Sequence, residues 1–181
     1  MYGGGAYSYA HDPDFTDVST SEKFWQKVID RFYEKYKGLA AWHTKLIKEA
    51  VTTGQVVMPT GRIYKYELKR NHRGELEPPQ TTIKNYPVQG LGADLMSIAR
   101  VSFMRRFKDA GINGELVNTI HDSIVVDVPK HEVRKVVELF HSVFADIPNN
   151  FERLFKRSFN LPLRCEVGVG DNMKGLVEYK L

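Results

Sequence analysis

Residues 115–128 read ELVNTIHDSIVVDV, two runs rich in β-branched residues with His121 and Asp122 between them and Pro129 after them. Val, Ile and Thr favour extended backbone because their branched side chains pack well on a pleated surface. Two such runs around a two-residue break predict an antiparallel hairpin, with Glu115–Ile120 as one strand, residues 123–128 as the other and His121 and Asp122 at the bend. No other segment constrains the fold as much. Strands this apolar need at least one covered face, so the rest of the chain must supply a layer to cover it.

An aspartate in such a hairpin is costly to bury unless it is paired, hydrogen-bonded or bound to a metal. Asp122 is therefore either a turn residue bonded to its own backbone or a functional carboxylate. Asp127 follows five residues later, an odd spacing that sets it on the opposite face of an ideal strand. Divalent sites for phosphoryl transfer use at least two carboxylates or phosphate oxygens. The sequence offers Asp122 no convincing second carboxylate.

The surrounding pattern is mixed. Residues 11–21 read as a polar loop. A helix then opens at Ser21 and Glu22, with Phe24, Trp25, Val28, Ile29, Phe32, Tyr33 and Tyr36 on one stripe and Gly38 expected at its end. A second helix carries Leu39, Trp42, Leu46, Ile47, Ala50 and Val51 and ends at Gly54. Residues 56–58 and 63–66 read as short strands around a turn at 59–61, followed by a basic loop to Pro78 and Pro79. A third helix is expected from about Leu91 to Lys108, a fourth through Val133, Val136, Val137, Phe140, Phe144 and Ile147, and a last strand over 163–169. Helices and hairpins in this order predict an α+β layer with an antiparallel sheet.

Charge narrows the function. The 181 residues carry a net charge of +4, and residues 62–73 (RIYKYELKRNHR) alone hold five cations, Arg62, Lys65, Lys69, Arg70 and Arg73, against Glu67. Cations with interleaved tyrosines suit a phosphate backbone, whose neutralisation releases counterions; a solvated surface hairpin is the alternative. Asn85 and Gln89 lie four apart in NYPVQG, where Pro87 and Gly90 suggest a tight lead into the third helix. Their amides either cap that helix or meet base edges in a minor groove. No run of 18 apolar residues exists, so no membrane span is expected. The single cysteine, Cys165, excludes an internal disulfide and suits a reducing, cytoplasmic setting.

Taken in order, these segments resemble the C-terminal part of family A DNA polymerases, the class of bacterial DNA polymerase I and its phage relatives. Tyr2 and Gly3 resemble the end of motif B at the base of the fingers helix. Thr60, Gly61 and Arg62 resemble the Gly-Arg turn before the palm. Residues 85–90 resemble the Asn-x-Pro-x-Gln-Gly run, residues 120–122 with their apolar tail resemble motif C, and residues 167–177 resemble the closing segment of the palm. The resemblance implies part of a right-hand polymerase: an antiparallel palm sheet with packed helices and the C-terminal end of the fingers. Residues 1–80 would be the fingers portion, a helical pair and a basic hairpin, and residues 81–181 the palm with its motif C hairpin.

It also implies roles. Asp122 would hold catalytic Mg2+ and His121 would shape the hairpin near the primer terminus. Asn85 and Gln89 would meet the minor-groove side of primer-template DNA, with Arg62, Lys65, Lys69 and Arg70 on its phosphates. Tyr2 and Gly3 would sit at the dNTP pocket. Departures are Ser123, where the family's DNA polymerases usually have glutamate and single-subunit RNA polymerases serine, and Thr81, where an arginine is frequent. A fragment of an RNA polymerase and an inactive nucleic-acid-binding remnant are the competing readings. Motif A and the thumb are not represented in the 181 residues, so the expectation is one subunit of a split polymerase in a bacterial or phage-infected cell. An N-terminal polymerase subunit would supply motif A. Without that strand the hairpin would keep an open edge and an uncovered apolar face, and the lone chain would be inactive and prone to self-association.

Overall fold

The structure is a computed structural model that describes residues 4–70 and 74–181. The chain forms two compact units that divide between Gln89 and Gly90. All strands are short and antiparallel, paired two by two, and helices make up most of the remainder.

The first unit starts with α1 (Ala6–Ala10) and a 3₁₀ turn at Pro13–Phe15. Helix α2 (Glu22–Lys35) is capped by Ser21, whose hydroxyl accepts from the Phe24 amide at 3.4 Å. Helix α3 (Lys37–Thr53) follows almost at once. The break falls at Tyr36, with φ −111° and ψ 60°, and not at Gly38, which lies inside the first turn of α3. A glycine ends a helix by taking a left-handed conformation. Gly54 does so after α3, at φ +72°.

Strands β1 (Gln55–Val57) and β2 (Ile63–Lys65) then pair, and the expected basic loop contains a further small ladder of β3 (Lys69–Arg70) and β4 (Leu76–Glu77). Leu46, Ala50, Val56 and Ile83 form the buried core of this unit, with Trp42, Ile47 and Tyr66 packed on it.

Helix α4 runs from Gln80 to Asp109, eleven residues longer at its start than the expected beginning at Leu91. The NYPVQG run is therefore helical rather than a lead into the helix. Burial overrides the proline signal here: Ile83 and Pro87 are both fully buried, so this turn is held by packing although Pro87 cannot donate to the Ile83 carbonyl.

In the second unit the hairpin is as expected, with β5 (Glu115–Ile120) and β6 (Ser123–Asp127) paired from Glu115 opposite Asp127 to Ile120 opposite Ser123. A bulge at Val117 interrupts the register. Gly114 admits the hairpin's close approach, since a Cβ there would lie 2.4 Å from the Asp127 carbonyl oxygen.

The expected fourth helix is two helices, α5 (Val133–Ala145) and α6 (Ile147–Phe155), divided at Asp146 ahead of Pro148. Asp146 accepts from Asn149, Asn150 and Arg106; the Asn149 amide first, and then the Arg106 guanidinium, hold its carboxyl below the usual range. The core joins Ala99, Phe103 and Phe107 of α4 to Val136, Phe140 and Val143 of α5, with Phe103 and Phe140 stacked at 4.2 Å.

Only β7 (Gly168–Val169) of the expected last strand makes a ladder, with β8 (Val177–Glu178). Residues 163–167 continue without a ladder partner among the described residues. Among the described residues no helix is long and apolar enough to cross a membrane.

His43 of α3 is buried, with Nδ1 3.1 Å from the Tyr33 hydroxyl of α2. Burial first, and the Lys84 ammonium second, push its pKa below the ordinary value. The unfolded chain then binds a proton that the folded chain refuses, so stability falls as pH drops below about 6.5. Thermal unfolding between pH 7.5 and 5 is expected to show this decline, flattened in His43→Gln. A wild-type midpoint that is level across that window, or a decline unchanged in the variant, would contradict it.

Candidate functional site

His121 and Asp122 form the two-residue loop between Ile120 and Ser123. His121 has φ +50°, and it is the first loop position that takes the left-handed region. That pattern belongs to the hairpin turn that reserves its first place for glycine. A histidine held there is strained by about 1–2 kcal/mol. The Ser123 hydroxyl closes the turn by donating to the Ile120 carbonyl at 2.9 Å. Ser123, noted above as a departure from the family pattern, thus has a local role in the turn.

Both loop side chains are exposed, which corrects the expectation of an aspartate in a covered hairpin. Val117 is 54% exposed and Ile120 41%, so much of β5 is open to solvent. Asp122 carries no burial cost, and its charge is available to a ligand.

Asp122 also stands at one end of a cavity of about 700 Å³ walled by β6 and by residues 164–170, with α5 contributing Val133, Val137, Phe140 and Phe144. Asp127 lines the same cavity from the other end of β6. Five residues of extended chain separate the two by roughly 16 Å. Distance, more than strand face, is what keeps them from sharing one ion. Among the described residues no three His, Cys, Asp or Glu side chains gather in one place.

The other sequence-derived candidates fall in the first unit. Asn85 and Gln89 are one turn apart on α4 and share a face. Gln89 is exposed, while Asn85 is half-buried and its Oδ1 is buried with no hydrogen-bond partner among the described residues. Between them, Tyr86 contacts Tyr64 of β2 with ring centroids 5.8 Å apart, which ties the basic hairpin to this helical turn.

Arg62, Lys65, Lys69 and Arg70 are all exposed. Lys69 lies opposite Glu77, and the Arg70 guanidinium donates to the Gly74 carbonyl at 2.8 Å. Tyr2 and Gly3 lie outside the described residues.

Sequence reasoning missed Tyr66. Its hydroxyl is buried without a partner among the described residues, and burial, with Tyr64 and Tyr86 adding to it, pushes its pKa up to about 12. It also missed the cavity wall at 164–170. The alternation of burial in 163–169 is the signal for that wall, since it marks a segment with one covered face.

The chain as a whole is similar to known proteins. The model of DNA polymerase family A matches residues 1–175. A thermostable DNA polymerase I of Thermus filiformis is 29% identical over 171 residues, which is 94% of this chain and 19% of the relative. DNA polymerase I of Aquifex aeolicus is 32% identical over 137 residues, 75% of this chain and 22% of the relative. The polymerase domain of Pol1 from M. smegmatis, solved in complex with DNA primer-template and dNTP, superposes with a TM-score of 0.68 over 81% of this chain and 25% of that one, at 20% identity. The chain thus spans about a fifth of the length of the curated relatives it matches.

The strain at His121 is testable. His121→Gly removes it and gives back part as unfolded-chain entropy, leaving a net gain on the order of 0.5–1 kcal/mol. The midpoint of thermal unfolding is expected to rise by about 1–4 °C. A lower midpoint in the variant would show that the turn is not strained.

Proposed function

The chain belongs to DNA polymerase family A, and from that premise we propose that it is the part of a template-directed DNA polymerase that carries the motif C carboxylate and the duplex-contacting amides. Residues 1–80 are the C-terminal portion of the fingers and residues 81–181 the palm. The observation that carries this reading is the exposed Asp122, held at the tip of a two-stranded hairpin by a strained histidine. Strained non-glycine backbone concentrates at functional sites.

Asp122 is a hard, exposed oxygen donor and fits magnesium in kind. It does not fit in number, because no cluster of three metal-capable side chains exists among the described residues. It is therefore one half of a site, and the second carboxylate comes from outside these 181 residues, on an N-terminal polypeptide that carries motif A. When bound, magnesium supplies charge at the attacking and leaving oxygens of the nucleotidyl transfer.

This chain's own residues hold and position. The His121 turn fixes where the Asp122 carboxylate points. Gln89 presents a donor and an acceptor to the minor groove, whose A and T pairs show acceptors and whose G adds an amine donor. The Asn85 Oδ1, buried and without a partner among the described residues, is an acceptor that a donor on the duplex would satisfy. Arg62, Lys65, Lys69 and Arg70 meet phosphates, which position the duplex without reading its sequence. Tyr2 and Gly3 contribute to the dNTP pocket.

Primer extension with magnesium tests the reading. The full chain alone is expected to be silent, and a mixture with a polypeptide carrying the motif A segment is expected to extend a primer with deoxynucleotides. Asp122→Asn is expected to lower the rate by more than about 100-fold, beyond what loss of an outer-shell metal partner costs, with DNA binding retained. Extension by the variant at the wild-type rate would refute Asp122 as a metal ligand.

A further inference from the structure

The last turns of α4 present parallel rows of residues four apart. Ala99, Phe103 and Phe107 make one row, and all three are buried in the core. The next row is Arg100, Met104 and Lys108, and the row beyond it is Val101 and Arg105. These five residues and Leu116 of β5 line a groove of about 430 Å³, which shares no residue with the cavity beside Asp122. Met104 and Leu116 are partly buried against the core, so packing fixes the floor of the groove. Val101 extends that floor and is 59% exposed, which leaves an apolar side chain facing solvent.

The charge on this groove is of one sign. Arg100, Arg105 and Lys108 are exposed, and their side chains make no hydrogen bond or ion pair among the described residues. Their neighbour Arg106 differs, since it donates to the Ser142 hydroxyl at 2.8 Å and pairs with Asp146. The nearest acids in sequence, Asp109 and Glu115, do not line the groove. Eight residues of helix spread the three cations over about 12 Å. That spread suits several carboxylates along a chain better than one small anion. The phosphates of a nucleic acid would meet the cations but leave Val101, Met104 and Leu116 uncovered. A polypeptide with carboxylates around one large apolar side chain satisfies both the rim and the floor.

We propose that this groove docks an acidic segment of a partner protein. One aromatic or long aliphatic side chain of that segment sits on Val101, Met104 and Leu116, and its carboxylates pair with Arg100, Arg105 and Lys108. Small interfaces concentrate their affinity in such an anchor, with a polar rim around it. A rim of one charge speeds encounter with an opposite partner and rejects a like-charged one. The volume lies within the range of about 300–1,000 Å³ usual for ligand pockets, enough for a whole aromatic ring. The docking is independent of the polymerase reading, in which none of these residues takes part.

The test uses the full chain and a fluorescein-labelled, end-blocked peptide of four aspartates around a single phenylalanine. Anisotropy gives the affinity, and backbone amide shifts give the place. Shifts are expected in residues 100–108 and at Leu116. A peptide with serine in place of the phenylalanine is expected to bind at least about tenfold more weakly. The same loss is expected when the original peptide meets the chain carrying Arg100→Glu, Arg105→Glu and Lys108→Glu together. These three side chains are exposed and unpartnered among the described residues, so their reversal spares the fold, and the serine peptide tests the anchor with the chain unaltered. No binding at about 1 mM peptide, equal binding of the serine peptide, or shifts centred on the cationic hairpin of the first unit would overturn the proposal. Displacement of the peptide from these amides by duplex DNA at a lower concentration than by unlabelled peptide would reassign the groove to nucleic acid.

Discussion

The stacked rings of Phe103 and Phe140 hold α4 against α5, and the second unit is arranged on that contact. Both rings are almost wholly buried, and an aromatic pair of this size dominates the energetics of a small core. Leu116, Ile124 and Val126 of the hairpin pack on the same cluster, as do Leu163, Cys165 and Val167 of the C-terminal segment. The helical platform therefore fixes two separate pieces of extended chain at once. It sets β6 on one side, with Asp122 at its end, and residues 163–169 on the other. Nothing in either piece alone requires the other. Their shared floor does, and the trough between them is the consequence.

Much of this was legible in the sequence because it is local. The hairpin followed from β-branched runs around a two-residue break, and the end of α3 from Gly54. What the sequence hid was decided by packing. Pro87 and Gly90 read as a helix boundary, yet the buried Ile83 and Pro87 draw eleven further residues into α4. The apolar period across Val133 to Ile147 continued through a break that Asp146 makes by gathering Arg106, Asn149 and Asn150 around its carboxylate. Residues 163–167 carry a strand's alternation without a strand's ladder, since period two reports a covered face and says nothing about which neighbours supply hydrogen bonds. At the site, residue identity was readable and environment was not. Asp122 was expected to be costly to bury and is exposed.

The two units hold the candidate residues separately. The first gathers Asn85, Gln89 and the cationic hairpin, bound together through Tyr64 and Tyr86. The second presents the exposed carboxylate of Asp122 at a hairpin tip beside the trough. A single exposed carboxylate holds a divalent ion only weakly, since such ions draw on several oxygen donors.

Manganese(II) titration of the full chain, followed by paramagnetic broadening of the backbone amides of residues 120–124, tests the proposed role of Asp122 most directly. The account predicts weak binding, with broadening centred on Asp122 and lost in Asp122→Asn. Broadening centred elsewhere, or broadening that survives Asp122→Asn, would contradict it.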